Sequence, residues 1–273
     1  MIPAISQVCS LHSTFQRDIE DYSAGKCPAV EIWFTKLQQY LTDHSLDDVR
    51  RLLDENQMAV AAASFQGGIL TTQGEARAEA WKLFRERLDL CQKLNIKTIV
   101  VAADVPAPLT QEAIDRTTVS LTEAASEAGR RELRIALEFQ AKSAFITNLR
   151  TAVAIVEDIG SPHLGICLDV FHFEVGSSKL TDLGYLTKQN LFHVQLSDLA
   201  DVPRELAMDA DRILPGEGDI PNATIVEHLK QIEYAGYVSI EVMNPQLWQV
   251  PPLEFGEIGT TALRRLLGQN ESS

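Results

Sequence analysis

The chain has 273 residues, a formal net charge of −14, 45% hydrophobic residues and 23% charged residues. This composition is ordinary for a soluble globular protein, and the length suits one large α/β domain or two small ones. An acidic surface repels phosphate backbones, so we expect no nucleic-acid partner.

Eight short apolar runs follow one another along the chain, and each is typical of a buried strand. They cover 3–9, 29–34, 58–65, 96–103, 133–139, 164–170, 191–197 and 237–243. Amphipathic stretches separate them, and the clearest of these predict helices over 75–94, 110–129 and 222–236. Gly129 and Gly236 stand where the C-caps of two of these helices are expected.

The order of the elements predicts the fold class. Continuous apolar strands that alternate with helices indicate a parallel sheet covered on both faces. Eight strand–helix units in about 250 residues predict an α/β protein, a (β/α)8 TIM barrel over 1–268 in a single domain. An open doubly wound sheet is the alternative. Polar residues at the C-terminal ends of nearly every strand favour the barrel. The composition of residues 269–273 predicts a disordered tail.

Cysteine usage and the absence of targeting segments bear on location. The four cysteines are scattered without a Cys-x-x-Cys pair, which argues against a zinc–cysteine site and a disulfide framework. Reduced thiols favour a cytoplasmic protein. We recognise no signal peptide and no run of about eighteen apolar residues, so we expect no membrane partner.

Polar residues recur at the C-terminal ends of the predicted strands, where a barrel places its functional groups. In chain order the residues at these ends include His12, Glu31, the aromatic Trp33, Gln66, Asp104, Glu138, Asp169, His193, Gln195, Asp198 and Glu241. His12, Trp33 and Gln66 are therefore candidate substrate-binding residues, although His12 and Trp33 equally suit packing at the barrel mouth. Asp198 equally suits a loop cap.

Three carboxylates follow apolar residues inside strands, and we expect all three to be buried. They are Glu138 on strand five, Asp169 on strand six and Glu241 on strand eight. Buried carboxylates that converge repel one another unless a cation holds them, although each could instead pair with a basic side chain. The sequence therefore predicts one divalent metal. Oxygen-rich ligation favours Mn²⁺, with Mg²⁺, Co²⁺ or Zn²⁺ as alternatives.

Seven short motifs carry a resemblance to a known family over nearly the whole chain. They are "VEIW", "SFQGG", "ALEF", "LDVFH", "FHVQLSD", "PGEGDIP" and "SIEV". With these motifs the chain resembles the xylose isomerase-like TIM-barrel superfamily. It looks most like the sugar phosphate isomerase/epimerase group, which includes inosose isomerases, ketose 3-epimerases, hydroxypyruvate isomerases and 3-dehydroshikimate dehydratases.

The resemblance implies a set of metal ligands on four strands. Carried over to this chain, they are Glu138, Asp169, Gln195 and Glu241. Most members carry His-x-His on strand seven and bind the metal with the second histidine, whereas this chain has Gln195 there. Hydroxypyruvate isomerases resemble this chain in that glutamine, whose carbonyl oxygen is a suitable hard ligand. His193 would then support a ligand or strand seven by hydrogen bonds.

The resemblance also implies an activity. His172 and Arg204 match family residues near the substrate. The shared chemistry is proton abstraction next to a carbonyl through a metal-stabilised enediolate, with Glu138 and Glu241 moving the proton. We therefore expect a metal-dependent isomerase or epimerase that acts on a small sugar, keto-acid or inosose. Relatives are often dimers or tetramers, so a homo-oligomer is a further expectation.

Three other classes of function compete with this interpretation. A metal-dependent dehydratase of the 3-dehydroshikimate type would share the first proton abstraction. A non-catalytic sugar-binding barrel would keep the fold and lose the chemistry. Endonuclease IV resembles the chain in architecture alone, and it needs three metals and many more histidines than the six found here.

Overall fold

The computed structural model describes residues 1–269 of the chain. Residues 270–273 of the predicted tail lie outside the described part. Gln269, the first residue of that tail, donates its backbone N–H to the carbonyl oxygen of Arg264. Its side-chain amide donates to the carbonyl oxygen of Met1.

Eight parallel strands close into a barrel in chain order, which confirms the predicted (β/α)8 TIM barrel. They are β1 (Ile2–Ser6), β2 (Ala29–Trp33), β3 (Ala59–Gln66), β4 (Thr98–Ala102), β5 (Arg134–Glu138), β6 (Leu164–Asp169), β7 (Leu191–Leu196) and β8 (Tyr237–Ile240). Every residue of β4, β6 and β7 is buried. Burial on both faces explains why these strands are mostly apolar in the sequence.

Helices separate the strands. They are α1 (Phe15–Ala24), α2 (Phe34–Tyr40), α3 (Leu46–Glu55), α4 (Gly74–Lys93), α5 (Gln111–Gly129), α6 (Leu149–Ile159), α7 (Val170–Val175), α8 (Asn222–Gln231) and α9 (Pro252–Leu267). Short 3-10 helices cover Gln7–Ser10, Leu180–Tyr185, Asp209–Asp211 and Leu247–Gln249. Within residues 1–269, no helix combines the length and the hydropathy that a membrane span requires.

The chain forms two compact units. The first contains residues 1–62 and the chain from Val194 onwards. In it, β8 pairs in parallel with β1 and with β7. Helices α1 and α9 pack closely at Gly25, which caps the end of α1. A Cβ atom on Gly25 would lie only 2.7 Å from the backbone nitrogen of Glu257. Glycine at this position allows the two backbones to approach each other.

The second unit covers residues 63–193. In it, β4, β5 and β6 pair in parallel, with Ala102 opposite Glu138 and Glu138 opposite Cys167. The long helices α4 and α5 are joined by ion pairs between Arg77 and Glu123 and between Arg85 and Glu123.

Two helix ends differ from the sequence prediction. The helix predicted over 222–236 ends at Gln231, so Gly236 does not cap it. Gly129 is the last residue of α5, and Arg130 takes the C-cap position instead. The glycines that cap helices in the left-handed conformation are Gly160 and Gly268.

The four cysteines are buried free thiols, as the sequence predicted. Cys9 links two segments of the first unit. Its thiol donates to the carbonyl oxygen of Ile240 at 3.4 Å and accepts from the backbone N–H of Val242 at 3.3 Å. Burial raises the pKa of the Cys9 thiol well above its usual range. The thiol therefore stays protonated and holds both peptide groups that flank Glu241.

Candidate functional site

Three buried side chains in the second unit form a group that could hold a metal ion. Glu138 is the last residue of β5, and Asp169 is the last residue of β6. His172 lies one turn into α7, which begins directly after β6. One possible ligand atom from each residue lies within 4.8 Å of the other two.

The local fold fixes Asp169 and His172 relative to each other. Asp169 is the N-cap of α7, and its Oδ1 accepts the backbone N–H of Phe171 at 2.7 Å. Its Oδ2 lies 3.9 Å from Nε2 of His172, and Oε1 of Glu138 lies 3.9 Å from the same nitrogen. Ligand atoms about 2.0–2.6 Å from one cation show separations of this size, so the donor set fits a divalent metal. Within the described residues, no other group of three His, Cys, Asp or Glu side chains has this property.

A second buried network lies in the first unit, around Gln195 of β7. The Nε2 atom of Gln195 donates to Oε1 of Glu31 at 2.9 Å and to Oε1 of Glu241 at 3.0 Å. Glu31 lies in β2, and Glu241 directly follows β8. All three side chains are buried. The sequence alone places Glu31 at a strand end and indicates no role for it.

Arg212 completes this network, and sequence analysis missed it. Its guanidinium is fully buried, and Nη1 donates to Oε2 of Glu241 at 3.1 Å. Its Nε and Nη2 atoms donate to Oδ1 of Asp209 at 3.1 and 2.8 Å. The carbonyl oxygen of Arg212 accepts from the side chain of Asn244 at 3.0 Å. In the sequence Arg212 stands in a polar loop. Its burial can be recognised only from the carboxylates that it contacts, and these are known only from the structure.

The loop that carries Arg212 is held by Asp198. Asp198 forms an isolated antiparallel bridge with Ile213, the residue after Arg212, and the two exchange both backbone hydrogen bonds at 2.9 Å. The buried Asp198 carboxylate accepts the backbone N–H groups of Leu199, Gly216 and Ile220 at 2.8 to 3.0 Å. Its role is thus that of a loop anchor, the simpler of the roles weighed from the sequence.

Two glycines in "PGEGDIP" fit the tight course of this loop. Gly216 has φ +91°, which L side chains rarely adopt. A Cβ atom on Gly218 would overlap the carbonyl oxygen of Leu199. The Nδ2 atom of Asn222, at the start of α8, donates to the Asp198 carboxylate at 3.0 Å. The loop is therefore tied at both of its ends.

Gln66 and Asp104 organise the loop after β3 in the second unit. Oε1 of Gln66 accepts from Nη1 of Arg87 at 3.0 Å, and Nε2 of Gln66 donates to the carbonyl oxygen of Gly67 at 2.7 Å. Asp104 accepts the backbone N–H of Gly68 at 2.6 Å. Burial raises the pKa of the Asp104 carboxyl group. A substrate-binding role for Gln66 stays a prediction.

The remaining sequence candidates lie in varied environments. His12 is exposed, and its ring meets the Trp248 ring edge-on at 5.9 Å, beside a cavity of about 480 Å³. The backbone N–H of Trp33 donates to the side chain of Gln7 at 3.1 Å. Arg204 is exposed in the turn before Asp209, and His193 is fully buried in β7. The binding roles of His12, Trp33 and Arg204 and the supporting role of His193 stay predictions.

Comparison with known proteins places the chain among its relatives. Residues 22–260 match the model of the xylose isomerase-like TIM barrel family. An inosose isomerase of Halalkalibacterium halodurans is 28% identical over 243 residues, covering 88% of this chain and 86% of that protein. A D-psicose 3-epimerase of Enterocloster bolteae is 31% identical over 98 residues, covering 36% of this chain and 28% of that protein.

A solved structure supports the same fold assignment. The structure of the IolI protein with a zinc atom bound is 24% identical and superposes with a TM-score of 0.92, covering 100% of both chains. At this identity the likeness concerns the fold alone. Together with the family match over 22–260, these findings show that the chain belongs to the xylose isomerase-like TIM barrel family.

Proposed function

We propose that this protein is a divalent-metal-dependent isomerase or epimerase that acts on a small sugar or inosose. The observation that carries the proposal is the buried group of Glu138, Asp169 and His172, whose ligand atoms lie within 4.8 Å of one another. The inosose isomerase and D-psicose 3-epimerase relatives support the choice of a sugar isomerase or epimerase over other activities of the fold.

A metal at this group is supported by its charge and burial. Glu138 and Asp169 are 4% and 0% exposed, and two carboxylates so close together in a site of low dielectric repel each other. A divalent cation would offset that repulsion. We propose that Gln195 and Glu241 complete the ligand set, as the resemblance to the family implies, and that His172 contacts the substrate. The oxygen donors of this ligand set admit Mn²⁺, Mg²⁺, Co²⁺ and Zn²⁺, and ligation by hard oxygen atoms favours Mn²⁺.

The chemical roles follow from the donor groups. A cation bound there would act as a Lewis acid for the substrate carbonyl. Glu138 and Glu241 are the proposed acid–base pair, one removing the proton next to the carbonyl and the other returning it. In the first unit, Gln195 and Arg212 hold one oxygen each of Glu241, which orients that carboxylate. Epimerisation requires the proton to return to the opposite face of the same carbon, and isomerisation requires its return to the neighbouring carbon.

Proton exchange tests this proposal directly. The protein is incubated with Mn²⁺ and a panel of inososes, ketoses and keto-acids in deuterated water. We expect deuterium to enter one substrate at the carbon next to the carbonyl, with an isomer or epimer as product. An enone absorbance with loss of water would instead show a dehydratase. Absence of both exchange and product across the panel, with Mn²⁺, Mg²⁺, Co²⁺ and Zn²⁺ tried in turn, would contradict the proposal.

A further inference from the structure

One amide group in the first unit is shared between two carboxylates. The Nε2 atom of Gln195 donates one hydrogen bond to Glu31 and one to Glu241, at 2.9 and 3.0 Å. A primary amide has two N–H donors and one carbonyl acceptor, whereas an ionised carboxylate only accepts. The two carboxylates therefore fix which end of the amide faces them.

The alternative orientation of this amide is costly. Rotating the Gln195 amide by half a turn would place its carbonyl oxygen against the oxygens of Glu31 and Glu241. Both charge-assisted hydrogen bonds would be lost and replaced by repulsion between acceptors. Because Gln195 is 1% exposed, water cannot take over the lost contacts.

Glu31 is well placed to enforce the orientation. It lies inside β2, fully buried, and its backbone is fixed by the parallel register that pairs it with Ser6 of β1. Glu241 has a second task, since its other oxygen accepts from Arg212 at 3.1 Å. Glu31 is therefore the carboxylate of this network that holds Gln195 without taking part in the proposed proton transfer.

We infer that Glu31 is a positioning residue that fixes the Gln195 amide so that its carbonyl oxygen is presented to the divalent cation. This inference rests on the proposed function, because it assumes that a metal binds and that Gln195 is one of its ligands. It extends that function by naming a residue that acts through a metal ligand. Residues that hold a metal ligand in this way typically change metal affinity by about 10–100-fold when they are replaced.

The test measures Mn²⁺ affinity by titration calorimetry in the full chain. Glu31→Leu removes the acceptor at similar volume, and we expect the dissociation constant to rise by about 10–100-fold. Glu31→Gln keeps a neutral acceptor oxygen, so its affinity should fall between those of Glu31→Leu and the wild type. Glu55→Gln, at an exposed position of α3, is the matched control and should bind as the wild type does.

A double-mutant cycle identifies the route of the effect. If Glu31 acts through Gln195, Glu31→Leu should cause no further loss of affinity in a Gln195→Ala background. The visible absorption of bound Co²⁺ gives a second readout, because it reports the coordination of the ion. We expect the Co²⁺ spectrum of Glu31→Leu to resemble that of Gln195→Ala.

The outcomes separate the inference from the function beneath it. A wild-type protein that takes up none of the four metals would overturn the proposed function and the inference together. A wild-type protein that binds metal, with losses that add in the double variant, would overturn the inference alone. Equal losses in Glu31→Gln and Glu31→Leu would also overturn it, because the charge of Glu31 would then matter instead of its hydrogen bond.

Discussion

Glu241 shows how the contacts of a single residue determine what its side chain can do. Gln195 holds its Oε1 atom and Arg212 holds its Oε2 atom, so both carboxylate oxygens have a fixed direction. The Cys9 thiol contacts the peptide groups on either side of it. A carboxylate held in this way suits positioned proton transfer, since an acid–base group must lie within hydrogen-bond reach of the proton that it moves.

Neutral variants test the proposed proton transfer. Glu138→Gln and Glu241→Gln keep side-chain volume and remove the ability to accept a proton, so each should lower kcat by about 100-fold or more. Turnover is measured on the substrate identified by deuterium exchange, with far-ultraviolet circular dichroism as the check on folding. Glu79→Gln, at an exposed position of α4, should retain full activity. Near wild-type turnover in either active-site variant would rule out its assigned role.

The buried ion pair between Arg212 and Glu241 leads to a prediction about stability. Arg212→Met removes a fully buried guanidinium and leaves the Glu241 carboxylate without that partner, which should cost about 3–5 kcal/mol of unfolding free energy. Arg50→Met is the control, because Arg50 pairs with Asp47 on an exposed helix surface and such pairs contribute less than about 1 kcal/mol. Urea denaturation of both variants measures the difference. Equal losses of unfolding free energy in the two variants would show that the buried pair stabilises the fold no more than the exposed pair does.

The buried carboxyl group of Asp18 predicts that the free energy of unfolding depends on pH. Its carboxylate is fully buried and accepts from Lys36 at 2.7 Å and from Gln7 at 3.1 Å. Burial raises the pKa of Asp18 from 3.8 to about 6, against the opposing effect of Lys36. The folded state therefore binds this proton more tightly than the unfolded state. The stability that the bound proton contributes is fully present below about pH 4 and is lost as the pH rises through about 6.

Asp18→Asn isolates this contribution, because asparagine does not titrate. From about pH 4 to pH 7, the unfolding free energy of the wild type should fall relative to that of Asp18→Asn by about 2–3 kcal/mol. Urea unfolding at a series of pH values measures both curves. A constant difference between the two proteins across this range would show that the folded and unfolded pKa values of Asp18 are the same.

The loop between β7 and α8 is the element that brings Arg212 to Glu241. Asp198 anchors it by accepting three backbone N–H groups and the Asn222 side chain. This buried carboxylate thus helps to order a loop that also contains the 3-10 helix Asp209–Asp211 and the bridge between Asp198 and Ile213. Sequence periodicity does not reveal such a contact.

Asp198→Asn should loosen this loop. Asparagine keeps one acceptor oxygen and replaces the other with an NH₂ group, which would face the N–H donors of the loop. Each hydrogen bond to the charged carboxylate that is lost in this way should cost about 1.5–3 kcal/mol. Amide hydrogen exchange at Gly216 and Ile220 should therefore become faster, while exchange in β4 stays unchanged. Unchanged protection at both loop positions would show that other contacts hold the loop.

Elements were predicted well where their pattern is local. The apolar runs located all eight strands, and α4 and α5 begin and end within one or two residues of the predicted bounds. The prediction for α8 was five residues too long, because Glu233 adopts a left-handed conformation that composition does not reveal. Gly236 was expected as a cap, yet it directly precedes β8.

At the scale of the whole molecule, strand periodicity was enough to predict the barrel, because parallel strands buried on both faces must be continuously apolar. Strand ends likewise located Glu138 and Asp169, since a TIM barrel places its functional groups there. Neither the role of Glu31 nor the place of Arg212 in the buried network was predictable in this way. Both depend on hydrogen bonds between residues 29 to 164 positions apart, which no local pattern encodes.

The metal content of the purified protein tests the central claim most directly. Elemental analysis should find about one Mn, Co, Mg or Zn per chain, as the ligand geometry around Glu138, Asp169 and His172 predicts. After dialysis, Gln195→Ala and Glu241→Ala should each contain less of that metal than the wild type, whereas Glu55→Gln should retain it. Absence of bound metal in the wild type, with none taken up on titration, would contradict the metal-dependent isomerase or epimerase proposed here.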